Sequence, residues 1–209
     1  MSPPPKTLLD FAGAPRHPAP LERAALVLID HQREYVDGAL RLPDVDGAVA
    51  ELARLLALAR SHGAPVFHVL HHGRPGGPLF DPAGPMAAVI PALAPRETEV
   101  VVTKALPNAF AGTELHARLQ AAGRPELIVA GFATHMCVSA SVRAALDLGY
   151  RTTVVAGACA TRDLPDPAGG VIPAAQLHRA ELAALADRFA VVVENAAAWS
   201  TVNFPLTHD

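Results

Sequence analysis

The chain has 209 residues, 51% of them hydrophobic and 18% charged, enough to bury one large core without a disulfide or metal staple. A net charge of −3 and a pI near 6.3 leave no basic field, so neither nucleic acid nor an anionic membrane is expected as a partner. The two cysteines, Cys137 and Cys159, make a poor disulfide framework and point to a reducing, cytoplasmic setting.

Residues 1–23 open with MSPPPKTLLDFAGAPRHPAP, rich in proline and without an apolar run after a basic start. They read as neither a signal peptide nor a membrane span, but as an arm that lies over the domain or helps an oligomer form. Short apolar runs then alternate with longer helical patterns, the mark of an α/β fold. Strands are expected at 25–29 (ALVLI), 66–70 (VFHVL), 100–103 (VVVT), 127–130 (LIVA), 152–156 (TTVVA) and 190–193 (AVVV). Most are β-branched and almost continuously apolar, as strands covered on both faces should be.

Helices fit between them. Asp46 is expected to cap one that runs to about Ser61, with Val49, Leu52, Leu56 and Ala59 on one face. Others are expected at 113–122, 138–148 and 174–189. Gly63, Gly123 and Gly149 each stand just before a strand, where a left-handed cap turns the chain back. Residues 71–95 are crowded with proline and glycine, and a connection that long is either a lid or binding loop, or an excursion packed on itself. A single domain over 24–195 and an irregular tail over 196–209 complete the layout.

In an open parallel sheet, ligands bind outside the carboxyl ends of the strands. Three reactive side chains fall at such ends: Asp30 after the first strand, Lys104 after the third and Cys137 after the fourth. Singly, each has an ordinary explanation, as a turn residue, a solvated lysine and a buried small side chain. Together they describe a nucleophile, a general base and an electrostatic partner. A helix starting at or just after Cys137, and the Lys104 ammonium, would both raise the thiolate share.

Three stretches carry a resemblance. LVLIDHQREYVDGAL, VVTKALPNAFAGTEL and ELIVAGFATHMCVSASVRAALDLGY resemble, in this order, the aspartate, lysine and nucleophile motifs of the isochorismatase-like cysteine hydrolase superfamily. The likeness runs from about Ala24 to Val193. It implies a three-layer α/β/α sandwich around a six-stranded, mostly parallel sheet, with Asp30, Lys104 and Cys137 as the catalytic triad. It also implies a cis peptide at Phe132–Ala133 that turns the Ala133 N–H toward substrate, to form an oxyanion hole with the Cys137 N–H, while Thr134 holds the turn. The implied reaction is hydrolysis of a carbon–nitrogen bond in a small non-peptide amide of carboxamide, carbamoyl or ureide type, through a thioester. Relatives are usually dimers, tetramers or larger, so a homo-oligomer is expected.

No cofactor is implied. The nicotinamidase branch of the superfamily holds zinc or iron through an Asp-x-His pair after the second strand, and VFHVLHHGRPGG lacks that aspartate. His68 and His71, three apart on a strand, should point to opposite faces. Gln32, Tyr35, His71, Phe110, Thr134 and His135 are the candidate substrate contacts, and Arg74 is a candidate for reading a carboxylate. Asp163 is a candidate for the pocket rim or a subunit contact, and Arg143 with Asp147 for an exposed i,i+4 pair. Two other readings stay open: an enol-ether hydrolase of the isochorismatase type, which needs no cysteine, and a non-catalytic binding or redox-responsive protein.

Overall fold

The computed structural model describes residues 4–201. A short helix α1 (Leu8–Phe11) lies in the arm, followed by β1 (Ala24–Ile29), α2 (Val45–Ser61), β2 (Val66–His71) and β3 (Val100–Lys104). Next come α3 (Leu115–Ala121), β4 (Glu126–Phe132), a π-helical turn (Thr134–Val138) that runs into α4 (Ser139–Asp147), and β5 (Arg151–Ala160). A two-stranded ribbon of β6 (Leu164–Pro165) and β7 (Val171–Ile172), then α5 (Ala174–Arg188), β8 (Val191–Val193) and α6 (Ala198–Thr201), finish the chain.

Six strands form one parallel sheet in the order β3-β2-β1-β4-β5-β8. All six residues of β1 and all seven of β4 are buried, because helices cover the sheet in an α/β/α arrangement. α2 presents the fully buried Leu52, Leu55 and Leu56 to the sheet, each contributing about 1.5–3 kcal/mol of burial. The chain builds outward from β1 through β2 to β3, then returns to lay β4 against the other side of β1. That reversal makes a switch point between the carboxyl ends of β1 and β4, where an open sheet leaves a crevice. Asp30 follows one of these ends and the Cys137 turn follows the other.

Gly131 allows the two strands to close there. Its φ is +123°, and a Cβ on it would meet the Ile29 carbonyl oxygen at 2.0 Å, so no other residue fits without moving β1. Gly63, Gly123 and Gly149 take positive φ as expected of left-handed caps.

Several local expectations need correction. Asp46 does not cap α2: the N-cap is Asp44, at φ +53° with no side-chain bond, while Asp46 faces solvent and pairs with Arg41 at 3.3 Å. Arg143 pairs with Glu181 at 2.9 Å and lies 4.4 Å from the Phe189 ring centroid, so it does not form the i,i+4 pair with Asp147. The packing of α4 against α5 offers it a half-buried carboxylate in place of an exposed one. β5 runs on to Ala160 and so includes Cys159, which is buried in the strand.

The arm is strapped to the domain. A Thr7–Asp10 capping box starts α1, Leu8 N–H donates to Asp187 on α5, and Ala19 N–H donates to Thr153 on β5. Trp199 in α6 donates its indole N–H to the Ala19 carbonyl at 2.8 Å, so the start of the tail is helical and docked. Residues 202–209 of the expected tail lie outside the described residues. The 71–95 segment packs on the domain through buried Phe80, Ile90 and Leu93, and its Gly73, Leu79 and Phe80 wall a cleft. Among the described residues no helix is long and apolar enough to cross a membrane.

Candidate active site

Asp30 directly follows β1, in the left-handed region at φ +48°, its N–H held by the Val69 carbonyl at 2.8 Å. Lys104 ends β3, whose neighbour in register is His71 at the end of β2. Two strand spacings, roughly 10 Å, separate β3 from β1, a span that a lysine side chain can help bridge across the end of β2. Its Nζ lies 2.8 Å from Asp30 Oδ2, 3.3 Å from Cys137 Sγ and 3.5 Å from His71 Nδ1. An ammonium has three protons, and each here has an acceptor: a carboxylate, a sulfur and an imidazole nitrogen. His71 then carries its own proton on Nε2. Asp30 and Lys104 side chains are wholly buried, and Asp30 Oδ1 has no hydrogen-bond partner.

The turn that carries Cys137 is clamped from several sides. The Phe132–Ala133 peptide is cis. Met136 and Val138 N–H groups both donate to the Ala133 carbonyl, at 3.0 and 3.2 Å. Ser141 donates to the Cys137 carbonyl at 2.7 Å and accepts from Ala109 N–H at 2.9 Å, which ties the loop after β3 to the turn. Thr134 is fully buried, bonded to the Ala160 carbonyl and to His178, as a residue that holds the turn should be.

Burial and the Asp30 charge push the Cys137 thiol up to about 12, against the pull of Lys104. The expected pull of Lys104 toward the thiolate is present, but it is outweighed. The helical turn begins at Thr134, three residues before the sulfur, and desolvation at this buried position outweighs the ammonium. Burial also raises Asp30, with Lys104 opposing it. The resting site holds a protonated thiol beside Asp30, whose Oδ1 has no hydrogen-bond partner. Burial, then the Lys104 charge, depresses His71 to about 4, so it is neutral at physiological pH.

Cys137 faces a cleft of about 380 Å³. Ala133, Tyr35, His71 and His135 of the sequence-derived set line it. The other three do not. Gln32 donates to the His71 and Ala87 carbonyls and accepts from His71 N–H, so its amide pins β2 to the loop. Phe110 stacks on Tyr150 with centroids 6.1 Å apart. Thr134 lies behind the turn. Arg74 is exposed on the loop, and the guanidinium at the cleft is that of Arg162, just beyond β5. Arg162 went unmarked because the strand was expected to end at residue 156, whereas β5 runs on to Ala160 and brings TRD to the sheet's carboxyl edge. Leu40, Leu79, Phe80, Pro107 and Met136 supply an apolar wall that no sequence signal marked. Asp163 accepts from Ala174 N–H at 2.7 Å and so closes the first turn of α5. A larger hollow of about 620 Å³, bordered by α2, the end of β5 and α5, contains none of the three reactive residues.

Residues 24–197 match the isochorismatase domain family. The chain belongs to the isochorismatase family. An isochorismatase crystal structure from Pseudomonas putida superposes with a TM-score of 0.88 at 50% identity, covering 92% of this chain and 98% of that one. A secreted isochorismatase effector of Verticillium dahliae is 34% identical over 183 residues, 88% of this chain and 94% of the relative. A maleamate amidohydrolase of Pseudomonas putida is 36% identical over 151 residues, 64% of this chain and 70% of the relative.

This isochorismatase-family chain also buries two histidines behind the site. His31 Nε2 lies 2.9 Å from His68 Nδ1, and His68 Nε2 lies 2.9 Å from Glu99, which pairs with Arg60. His68 thus points away from the cleft that His71 lines. The Glu99 carboxylate accepts a hydrogen bond from His68 Nε2–H, so His68 Nδ1 accepts from His31 Nε2–H, and His31 Nδ1 is left as a buried acceptor without a partner among the described residues. Burial, reinforced by His68, pushes His31 down to about 3. An unfolded chain protonates this histidine below its ordinary 6.5 while the fold resists. Stability is therefore intact above 6.5 and is lost as pH falls toward 3, by about 1.4 kcal/mol per pH unit for this one group. Urea midpoints measured between pH 7 and 4 should fall, and fall less in His31→Met; equal slopes would refute the assignment.

Proposed function

We propose that this chain hydrolyses the carbon–nitrogen bond of a small amide that carries a carboxylate, with Cys137 as nucleophile, Asp30 as acid and base, and Lys104 as their electrostatic partner. The observation that carries the reading is the single ammonium within 2.8 Å of Asp30 and 3.3 Å of Cys137 at the wall of a cleft. The likeness to an amidohydrolase supports the bond type.

The steps follow from the resting protonation. As sulfur attacks the amide carbon, its proton passes to Asp30 and the carbonyl electron pair moves to oxygen. The Ala133 and Cys137 N–H groups receive that oxyanion, each donor typically lowering the barrier by about 3–4 kcal/mol. The C–N bond then breaks, and Asp30 returns its proton to the leaving nitrogen. Water enters, gives a proton to Asp30 and attacks the thioester; the C–S bond breaks and the sulfur takes the proton back. Lys104 remains charged throughout and offsets the negative charge that moves between carboxylate and sulfur.

Arg162 supports the carboxylate. Among the described residues its guanidinium has no acidic partner and only a 3.4 Å bond to the Asp163 carbonyl, yet it lines the cleft. His71, with its Nε2–H free of Lys104, supplies a neutral donor on the β2 side, and the apolar wall suits a short hydrocarbon body.

Ammonia release from a panel of N-carbamoyl amino acids, ureido acids, maleamate and neutral carboxamides tests the reading. Turnover of at least one member, silenced in Cys137→Ala, is expected. Turnover of isochorismate that survives that change would replace it with the enol-ether reaction. Arg162→Gln should raise KM for acidic amides about 10–100-fold with little change in kcat, and leave neutral amides unaffected.

A further inference from the structure

Below the cleft, the nucleophile turn rests on a contact that the steps above do not use. Thr134 Oγ1 lies 3.1 Å from the Ala160 carbonyl and 2.9 Å from His178 Nδ1. A hydroxyl has one proton, and a carbonyl can only accept, so that proton goes to Ala160. The His178 nitrogen must then be the donor, and its ring carries a proton on Nδ1. Ala160 ends β5 and is the register partner of Phe132, the residue before the cis peptide. Thr134 therefore joins the end of β5 to the start of the turn, and His178 sets which way its hydroxyl points. The pair is separate from the second clamp of α5, in which Glu181 accepts from Ser139 and Arg143.

We propose that His178 is a positioning residue for the acyl-transfer site: its Nδ1–H locks Thr134 and so fixes the Ala133–Cys137 turn that would receive the oxyanion. It does not line the catalytic cleft and so acts only through Thr134; it lines the larger hollow outside. An acceptor in its place would compete for the one hydroxyl proton, release the Ala160 carbonyl and let the turn relax. A misplaced oxyanion donor lowers kcat and leaves substrate binding nearly untouched. This inference rests on the thioester reading above.

Asparagine and aspartate have the same shape, and both reach the position of Nδ1, but only asparagine can donate there. Leucine fills the space with neither function nor charge. The panel amide that the wild-type protein turns over fastest, assayed at pH 8 to keep the aspartate ionised, serves as probe. His178→Asn should keep kcat within about threefold of wild type, whereas His178→Asp and His178→Leu should each lose about tenfold or more in kcat with KM within threefold, a barrier rise of about 1.4 kcal/mol. Thermal midpoints and folded fractions of all three are measured beside the rates. The inference is overturned if Asn and Asp behave alike, if Leu matches wild type, if the loss lies in KM, or if it only follows the folded fraction. Activity that survives Cys137→Ala would instead overturn the thioester reading itself, so the two failures are distinguishable.

Discussion

Cys137→Ala lowers amide turnover by at least about 10⁴-fold while leaving the thermal midpoint within a few degrees of wild type. The activity loss is that large because, among the described residues, no second thiol borders the cleft: Cys159 is buried in β5 and lines the outer hollow. The stability change is small because removal of one buried sulfur next to an ion pair that stays intact leaves only a small void. The same thiol makes a pH-dependent prediction. With Cys137 pushed up to about 12, its thiolate share, and with it the iodoacetamide rate of the free protein, rises about tenfold per pH unit from 7 to 10, with no plateau near the ordinary thiol value of ~8.5. Peptide mapping separates this site from Cys159. A plateau at 8–9 would mean that the attraction of Lys104 cancels the cost of burial and that the sulfur titrates as an ordinary thiol.

Lys104→Met abolishes activity and also destabilises the protein, by about 3–5 kcal/mol, because it leaves the Asp30 carboxylate wholly buried without its cation. Part of that loss should be recovered in the double variant Asp30→Asn/Lys104→Met, in which neither charge is left in the interior. The double variant is expected to be inactive yet more stable than Lys104→Met alone, by about 1–3 kcal/mol in denaturant titrations. Equal stability of the two would show that the pair is solvated and that its attraction counts for little. The comparison separates two roles of one lysine: the stabilisation of a buried base, and the field in which the sulfur gives up its proton.

Much of the site was legible along the chain because strand ends can be read locally. Apolar runs of β-branched residues mark buried strands, and an open parallel sheet gathers whatever follows them at one edge. Asp30, Lys104 and Cys137 were found by that logic, and Tyr35, His71 and His135 do line the cleft. Gln32, Phe110 and Thr134 were misjudged because side-chain orientation and rival partners are not local properties. A glutamine two residues past the strand end faces the substrate or ties two backbones together according to where His71 and Ala87 lie, and those are 39 and 55 residues away. The arginine was misplaced for a related reason. Residues 71–95 fold Phe80 inward and leave Arg74 in solvent, and the cleft charge comes from the far end of β5.

By itself the sequence determined the alternation of strands and helices and the three reactive residue types at strand ends, because hydrophobic period and turn chemistry act over a few residues; the family followed from the likeness of three ordered motifs. Only the tertiary structure decided the protonation of the thiol, the identity of the cationic wall, the sealed His31–His68 pair and the prop that His178 gives to Thr134. Each of these depends on desolvation and on distances of about 3 Å between groups far apart in the chain, and such quantities come into being only when the sheet and its helices have closed around them.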